Sequence, residues 1–185
     1  MFVTTSNARE NEDPRGGHGT PNGRLRDRGS GSNCVNARGL HHVTAIIGDV
    51  RRAAGFYAGV LSLNRVKKTV CYDDPGSYHV YYGDDVGNPG TVMSTLAWNC
   101  VTPGLTGAGE VVQTAFRVAG DSLDGWADRL ASAGVPYRSE VSPFGERTLC
   151  FSDPDGTALS LIETWEGRSG QADPNSKADL ALRGL

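Results

Sequence analysis

The feature that most constrains the fold of this chain is an internal repeat, in which one order of predicted elements occurs twice. Each repeat begins with a strand-like run, continues with an amphipathic helix and finishes with three further strands. Runs of β-branched and aromatic residues bounded by Gly and Pro predict the strands, and apolar residues at helical spacing predict the helices. The sequence therefore predicts two βαβββ modules, at about residues 39–99 and 110–166.

The first module begins with a predicted strand from Leu40, followed by a helix for which Asp49 is a plausible N-cap. The apolar residues of that helix recur at i, i+3, i+4, i+7 and i+8. They are Ala53, Phe56, Tyr57, Val60 and Leu61. Strands are predicted at residues 65–72, 78–82 and 91–98, because Pro-Gly turns separate these runs. This spacing predicts a helix that packs one apolar face on a sheet.

The second module has the same order, with a first strand predicted at residues 111–118. Its helix is expected to begin at Asp121 or Ser122, to run through Ala133 and to be ended by Gly134 as the C′ residue. The strands that follow are predicted at residues 137–141, 147–151 and 158–163. Two such modules placed edge to edge form an α+β fold, in which a curved mixed sheet makes a cup and the helices lie outside.

Alignment of the two modules relates chemically different residues at the same positions. His42 on the first strand corresponds to Gln113, and Ser94 on the last strand corresponds to Ser160. Adjacent residues of a strand point to opposite faces, so His41 and His42 are not expected to enter one cavity together. On this run alone a structural, hydrogen-bonded histidine is the more common case, and a metal ligand is the alternative.

Outside the modules, the composition is polar and argues against several classes of function. Residues 1–38 carry few large apolar side chains and are predicted to be a disordered tail. The net charge of −3 argues against a nucleic-acid surface. No apolar run reaches the roughly 20 residues of a membrane span, and no signal peptide is evident. A cytoplasmic protein with small-molecule or protein partners, and no membrane partner, is expected.

The four cysteines are widely spaced and form no C-x-x-C pair. They are Cys34, Cys71, Cys100 and Cys150. This spacing indicates neither a zinc knuckle nor a thioredoxin-like motif, and a domain with a sizeable core does not need disulfides. We predict reduced thiols, with catalytic chemistry left open for Cys100 or Cys150.

Several motifs of the chain together resemble the vicinal oxygen chelate superfamily, and in particular the N-terminal domain of two-domain, hydroquinone-type ring-cleaving dioxygenases. The motifs are Leu40-His41-His42-Val43-Thr44, Phe56-Tyr57, Val66-Lys67-Lys68-Thr69-Val70, Asp73-Asp74-Pro75, Tyr78-His79-Val80-Tyr81-Tyr82-Gly83-Asp84, Val86-Gly87-Asn88-Pro89-Gly90-Thr91, Phe144-Gly145-Glu146-Arg147 and Asp153-Pro154-Asp155-Gly156. The resemblance covers about residues 39–165. It implies a single vicinal oxygen chelate domain at residues 39–166.

The resemblance also implies a metal site, because these dioxygenases hold Fe(II), or sometimes Mn(II), with two histidines and one carboxylate. It assigns the first histidine to His42, and it assigns His41 and Thr44 to catalytic positions near the substrate. The other ligands belong to a second domain, so the site is expected to be incomplete in this chain. Residues 167–185 are interpreted as a linker to that domain, because Arg183-Gly184-Leu185 repeats the Arg38-Gly39-Leu40 that precedes His41.

We also asked whether this chain alone could complete a metal site. In single-domain relatives the ligand positions correspond to His42, Ser94, Gln113 and Ser160, of which only His42 is a strong ligand. Glu163 lies an odd number of residues from Ser160 and should face away from the cup, as a solvated carboxylate at the end of a strand. His79 is predicted to be a core or supporting residue, and a homodimer would add copies of the same weak ligands.

Three hypotheses follow. The first is part of an Fe(II)-dependent extradiol dioxygenase that acts on a hydroquinone or catechol-type diol with O2, completed by a second domain or partner chain. The second is a non-catalytic module, monomeric or dimeric, that binds a small aromatic ligand in the cup. Its predicted lining is Tyr81, Tyr82, Met93 and Trp98. The third is a remnant with no independent role and unpaired sheet edges.

Overall fold

The structure is a computed structural model that describes residues 2–5, 39–98, 104, 107–164, 182 and 184–185. The strands are β1 (Phe2–Thr5), β2 (Leu40–Ile47), β3 (Asn64–Val70), β4 (Tyr78–Gly83), β5 (Val92–Ala97), β6 (Thr114–Ala119), β7 (Tyr137–Val141), β8 (Arg147–Ser152) and β9 (Ala158–Thr164). Helix α1 is Val50–Ala54 and continues as a π-helical segment, Gly55–Val60, and helix α2 is Leu123–Ser132. Both βαβββ modules are present, so the predicted α+β class is confirmed.

The strands form two mixed sheets with equivalent topology. The first has the order β1-β2-β5-β4-β3, and the second has the order β6-β9-β8-β7. In each module the first strand is parallel to the last strand, as β2 is to β5 and β6 is to β9. The last strand is in turn antiparallel to its other neighbour. This equivalence is what makes residue positions comparable between the modules.

The free edges of β2 and β6 are both occupied by segments from outside the modules. Strand β1 pairs antiparallel with β2, with Thr4 opposite His42. On β6, Val118 forms a bridge with Leu182, and the Arg117 N–H donates to the Gly184 carbonyl at 2.8 Å. The two modules therefore form two separate hydrogen-bonded sheets.

Strand β1 differs from the disorder predicted for residues 1–38. Backbone pairing with β2 needs no large apolar side chains, so a polar segment can form a strand there. The rest of that tail lies outside the described residues.

Helix α1 begins as predicted and then changes its hydrogen-bond pattern. The Asp49 side chain accepts from the Arg52 N–H at 2.8 Å, which caps the first turn and lowers the pKa of Asp49. From Gly55 the segment is π-helical, and the Leu61 N–H donates to the Phe56 carbonyl at 3.0 Å. The wider turn lets Phe56 and Tyr57 both lie buried, although they are neighbours in sequence.

Helix α2 agrees closely with the prediction. Ser122 is its N-cap residue, and Gly134 follows with a φ of +69°, a left-handed conformation that glycine adopts without strain. Leu123, Trp126 and Leu130 are buried on the face turned to β7, β8 and β9. The apolar residues of α2 at helical spacing therefore form the packed face of the helix.

One hydrophobic core joins the two modules. The rings of Phe56 and Phe151 lie 6.3 Å apart between centroids, and the Tyr57 hydroxyl donates to Asp153 Oδ2 at 2.8 Å. Burial is the main cause that raises the pKa of Tyr57, followed by the charge of Asp153. The other oxygen of Asp153 accepts from the Asp155 and Thr157 N–H groups. The Asp-Pro-Asp-Gly turn thus connects the second module to the first helix.

Two further findings concern thiols and membranes. Cys71 and Cys150 carry free thiols, as predicted. Cys34 and Cys100 lie outside the described residues. Within the described part of the chain, none of the helices is both long and apolar enough to cross a membrane.

Candidate functional site

The candidate site lies on the face of the first sheet that is turned away from the helices, which we call the first cup face. Strand alternation sets this face: Val43 and Ala45 belong to the core, so His42 and Thr44 point to the other side. Thr44 is directly opposite Ser94 on the neighbouring strand β5. The residues predicted as a ligand and as a substrate contact therefore share one face.

Strand β4 completes the face with two further polar side chains. Tyr81 is paired with Ser94, and His79 has the same parity two residues earlier. Lys67 on β3 is the register partner of Tyr81 and extends the face to the edge of the sheet. The first cup face is thus defined by His42, Thr44, Lys67, His79, Tyr81 and Ser94.

The two adjacent histidines are in contact, although they start from opposite faces of the strand. The Nδ1 atoms of His41 and His42 lie 2.9 Å apart, and the two rings meet edge to face with centroids 5.1 Å apart. Both side chains are half-buried near the start of β2, where the rings can bend towards each other. One nitrogen of this pair donates to the other, so Nδ1 of His42 is engaged and its Nε2 is the nitrogen left for another ligand.

A line of hydrogen bonds crosses the first cup face from strand to strand. Thr44 Oγ1 lies 2.8 Å from Ser94 Oγ, and Ser94 Oγ lies 3.0 Å from His79 Nε2. The Tyr81 hydroxyl lies 3.2 Å from His79 Nδ1. These four side chains come from β2, β5 and β4, and the sheet register alone brings them together.

Aromatic rings form the floor of the same face. The rings of Tyr81 and His79 are stacked with centroids 4.3 Å apart, and the His42 ring meets Tyr81 edge to face at 5.7 Å. Lys67 Nζ lies 5.7 Å from the centroid of the Tyr81 ring. A cation and a phenol ring in this arrangement suit an aromatic ligand that carries negative charge.

The pKa shifts on this face favour the neutral forms of His42, His79 and Tyr81. Burial, followed by the proximity of His41 and His79, lowers the pKa of His42. Burial, followed by the charge of Lys67, lowers the pKa of His79. Burial is also the main cause that raises the pKa of Tyr81. At neutral pH the two imidazoles therefore each have one unprotonated nitrogen, and the phenol keeps its proton.

The predicted aromatic lining is corrected at two positions. Tyr82 and Met93 are fully buried in the core between the first sheet and the first helix, on the opposite side from Tyr81. Both positions follow the alternation of side chains along their strands. The predicted lining placed the neighbours Tyr81 and Tyr82 on one face, which this alternation does not allow. Sequence reasoning also missed the role of Lys67 and the contacts of His79 on this face. A prediction that Lys67 is paired with Tyr81 across β3 and β4 would have placed Lys67 on this face.

The corresponding face of the second module has different chemistry. Its strands line a cavity of about 200 Å³ whose residues include Gln113, Ala115, Glu140, Cys150 and Ser160. The Gln113 amide donates to Cys150 Sγ at 3.6 Å, and the Cys150 thiol donates to Glu140 at 3.7 Å. This second cup face has an amide and a thiol where the first has imidazole and phenol.

Glu163 is oriented as predicted, but it is not solvated. Its side chain is 2% exposed and lies on the helix side of β9. Glu163 Oε1 accepts from the Asp121 N–H at 2.5 Å, and Oε2 lies 3.5 Å from Arg147 Nη1. The expectation of a solvated carboxylate was therefore wrong, because period-two alternation predicts the face of a residue and not its depth. Its structural contacts give it no place on either cup face.

The first cup face could supply one ligand, His42, to a metal ion. The engaged Nδ1 and the remaining Nε2 of His42 match the usual pattern of a metal-binding histidine, in which the second nitrogen is held by a hydrogen bond. Among the described residues, no group of three or more His, Cys, Asp or Glu side chains is arranged to hold a metal ion. A metal ion held by His42 would need further ligands beyond those that the described residues group together.

Comparison with known proteins agrees with this fold. The sequence model of the "Glyoxalase/Bleomycin resistance protein/Dioxygenase superfamily" matches residues 39–161. The chain belongs to this superfamily. Dioxygenases of the superfamily and their relatives typically use a metal ion. A metal ligand at His42 is therefore chemically consistent with membership.

Two curated relatives are dioxygenases by name. The chain is 39% identical over 152 residues to the protein named "Putative ring-cleaving dioxygenase MhqO" of Bacillus subtilis, with 80% of this chain and 47% of the relative covered. It is 30% identical over 154 residues to the chlorohydroquinone/hydroquinone 1,2-dioxygenase of Sphingobium indicum, with the same coverage. The chain thus spans about half the length of the curated relatives that it matches.

A solved structure of a dioxygenase-like protein from Bacillus subtilis has the same fold. It is 39% identical in sequence, with a TM-score of 0.71, and the match covers 79% of this chain and 47% of that one. The similarity therefore extends through both βαβββ modules and stops at about half of the solved chain.

Proposed function

We propose that this chain is the N-terminal half of an Fe(II)-dependent ring-cleaving extradiol dioxygenase, acting on a hydroquinone or catechol-type diol, with Mn(II) as the alternative metal. The observation that carries the proposal is the position of His42. This histidine has Nε2 left for a metal, is held at Nδ1 by His41, and lies beside Tyr81 and on the same face as Thr44. The names of the two curated relatives support the substrate class.

The residues of the first cup face have distinct tasks in this proposal. When bound, the metal would bring a diol oxygen and O2 together at open coordination positions. His42 would supply one ligand, and His41 would hold its ring orientation. The Thr44 hydroxyl would make a hydrogen bond to a phenolic oxygen, and the Tyr81 ring would contact the aromatic ring of the substrate. The low pKa of His42 supports this role, because only the unprotonated imidazole can bind a metal.

The missing ligands are proposed to come from a second pair of modules, to which residues 167–185 would lead. The Gly184 carbonyl and the Leu185 N–H are bound between β6 and the turn at Gly90. The Gly90 N–H donates to the His41 carbonyl at 2.9 Å, so these residues lie next to the first cup face. A strand that continued from this point would begin near His42. The cytoplasm is the proposed location.

The test is to produce this chain alone and together with the half of Bacillus subtilis MhqO that it does not match. Iron content and hydroquinone-dependent oxygen uptake are then measured for both samples. We expect iron and oxygen uptake in the pair and neither in the single chain. A well-folded pair that contains no iron and consumes no oxygen with several diols would refute the proposal.

A binding module without catalysis is the second candidate, and one observation favours it: among the described residues, no group of three or more His, Cys, Asp or Glu side chains is arranged to hold a metal ion. The discriminating measurement is the affinity of the pair of halves for hydroquinone, with and without a chelator. Binding that is unchanged by the chelator and by His42→Ala favours the binding module. Binding that the chelator removes favours the dioxygenase.

A further inference from the structure

Strand β7 is an edge of the second sheet, and its residues are exposed along its whole length. The sheet order β6-β9-β8-β7 leaves one side of β7 without a neighbouring strand in the part of the chain that the structure describes. All residues of Tyr137–Val141 are exposed, and Val141 is 69% exposed. An edge strand presents unpaired backbone N–H and C=O groups to another strand. Strand β7 therefore offers a surface for backbone pairing.

The ladder with β8 indicates which backbone groups of β7 point to the open side. The Ser142 N–H donates to the Glu146 carbonyl at 2.8 Å, so this pair, which follows the last register pair of β7 and β8, is hydrogen-bonded. Hydrogen-bonded and non-hydrogen-bonded pairs alternate along an antiparallel ladder. Residues an odd number of positions before Ser142 therefore direct their backbone N–H and C=O groups away from β8. They are Tyr137, Ser139 and Val141.

The sequence of β7 is complementary to itself when two copies run antiparallel. With Ser139 opposite Ser139 of the second copy, the outward backbone groups of Tyr137 meet those of Val141. The same register places Arg138 opposite Glu140 of the second copy. Opposite charges, and an aromatic residue beside a β-branched one, are favourable cross-strand neighbours. Each position of β7 thus has a suitable partner in a second β7.

The two charged residues of β7 are already exposed on one face of the single chain. Arg138 Nη2 lies 3.5 Å from Glu140 Oε1, and the two side chains are 80% and 47% exposed. One exposed ion pair contributes little to stability. In the antiparallel pair, each cation gains the carboxylate of the other copy, and the signs alternate around the two-fold axis. This charge pattern favours a second copy of the chain as the partner.

The free edge of the first sheet lacks this complementarity. Strand β3 carries Arg65, Lys67 and Lys68, and its register with β4 shifts between Arg65 and Lys67. Lysines and an irregular register are features that prevent strands from pairing at a sheet edge. Self-pairing of β3 would also bring these positive charges near one another. Of the two edges, β7 is therefore the one that fits a second copy.

We propose that β7 pairs antiparallel with β7 of a second copy, about a two-fold axis at Ser139, and joins two four-stranded sheets into one sheet of eight strands. The contact is isologous, because each copy presents the same residues, Tyr137–Val141. It is small beside the roughly 20–30 residues a side of a standard interface, so the dimer forms reversibly. None of these residues lies on the first cup face, so the inference does not depend on the proposed function.

The backbone contact is tested by sedimentation equilibrium of the full chain from about 1 μM to 1 mM, the range of weak complexes. We expect the mass to rise from 19.6 kDa towards twice that value. Ser139→Pro removes an N–H that points away from β8, which an edge strand tolerates, and should stay monomeric. Val70→Pro is the control on β3 and should dimerise like the parent, because the Cys71 N–H donates to the Ser77 carbonyl and Val70 is directed outward. A parent chain that is monomeric throughout, or a dimer that persists in Ser139→Pro, would overturn the proposal.

The charge contact is tested with two variants that cannot pair with themselves. Arg138→Glu gives both charged positions of β7 a negative charge, and Glu140→Arg gives both a positive charge. We expect each variant alone to be monomeric, because like charges would lie opposite each other. An equimolar mixture restores opposite charges across the contact and should sediment as a dimer. Mixing changes nothing within either chain, so this result separates pairing between copies from a loss of fold.

Two results of the mixing experiment would refute the proposal. A mixture that remains monomeric would show that the charges of β7 do not meet across a contact between copies. A dimer that forms equally well in Arg138→Glu alone would show that the copies meet at another surface.

Discussion

The two cup faces have the same backbone and different chemistry, which makes each a control for the other. The sheet registers relate six positions of the first face to six of the second. The pairs are His42 with Gln113, Thr44 with Ala115, Lys67 with Arg138, His79 with Thr148, Tyr81 with Cys150 and Ser94 with Ser160. Only the serine is retained. The imidazole and phenol side chains are thus confined to one of two equivalent scaffolds.

The helix-facing sides of the two sheets also differ, and there the polar residue belongs to the second module. Ala97 and Glu163 follow the equivalent serines by three residues, so they occupy the same position on β5 and β9. Ala97 is a small apolar residue in the core, whereas Glu163 is a buried carboxylate that holds the Asp121 N–H. The first module therefore has its polar groups on the cup face, and the second has a polar contact inside. The buried polar contact of Glu163 thus has no counterpart at Ala97 in the first module.

The largest difference between the two cup faces is expected when the matched residues His42 and Gln113 are each replaced. In the pair of halves described above, we expect His42→Ala to lower kcat/KM for hydroquinone by more than about 100-fold, since losing a ligand exceeds the 10- to 100-fold effect of losing a supporting group. Gln113→Ala is the matched variant and should change activity less than about twofold. Oxygen uptake and iron content provide the measurement.

Equal effects of His42→Ala and Gln113→Ala would contradict the division between the modules. His42→Cys serves as a second control, because a thiolate can bind a transition metal and should retain part of the iron. Loss of iron in Gln113→Ala would instead mean that the second cup face contributes a ligand.

The second prediction concerns the buried carboxylate of the second module. Glu163→Leu removes the acceptor to which the Asp121 N–H donates and should lower the free energy of unfolding by about 1–3 kcal/mol. Glu163→Gln retains an oxygen acceptor and should cost less. Chemical denaturation of the full chain measures both. A Glu163→Leu variant that is as stable as the parent would contradict this prediction.

The third prediction is a dependence of stability on pH that arises in the first module. Because the pKa values of His42 and His79 are lowered in the folded chain, the unfolded chain takes up protons first as the pH falls. Stability should therefore be unaffected above the unfolded histidine pKa of about 6.5, and should fall as the pH drops below it.

The measurement is the urea midpoint of the metal-free chain at about pH 7.5 and about pH 5.5. His42→Gln combined with His79→Gln should flatten the difference between the two midpoints. Thr148→Val, at the position of the second module that matches His79, should leave the difference unchanged. A steeper pH dependence in the double variant would show that the histidines are stabilised in their charged form.

Local patterns predicted most of this architecture because they are caused by local forces. The cap at Asp49, the end of α2 before Gly134 and the alternation on β2 each depend on neighbouring residues, and each is found where the sequence predicted it. The alignment of His42 with Gln113 was also predictable, because the repeat order is a property of the sequence. Its confirmation comes from the strand registers.

The remaining features depend on contacts between distant residues. Thr44 and Ser94 are 50 positions apart, and their hydrogen bond exists because β2 and β5 pair in parallel with these two residues opposite each other. The burial of Glu163 requires Arg147 and Asp121 to lie over it, which no period-two pattern contains. Likewise, the composition of residues 2–5 could not predict β1, because this strand forms by pairing with the free edge of β2.

The smallest expected effect concerns the cations at the edges of the two faces, Lys67 and Arg138. Lys67 lies near the Tyr81 ring, whereas Arg138 is directed to Glu140 at 3.5 Å and is largely exposed. We expect Lys67→Met to weaken 4-nitrophenolate binding about threefold at low salt, the scale of an exposed charge pair, and Arg138→Met to have no effect. Near 1 M salt, where the screening length is about 3 Å, the effect of Lys67→Met should disappear. Lys67→Arg should bind like the parent, since it keeps the charge. A loss that persists at high salt would mean that Lys67 acts by packing on Tyr81 and not by its charge.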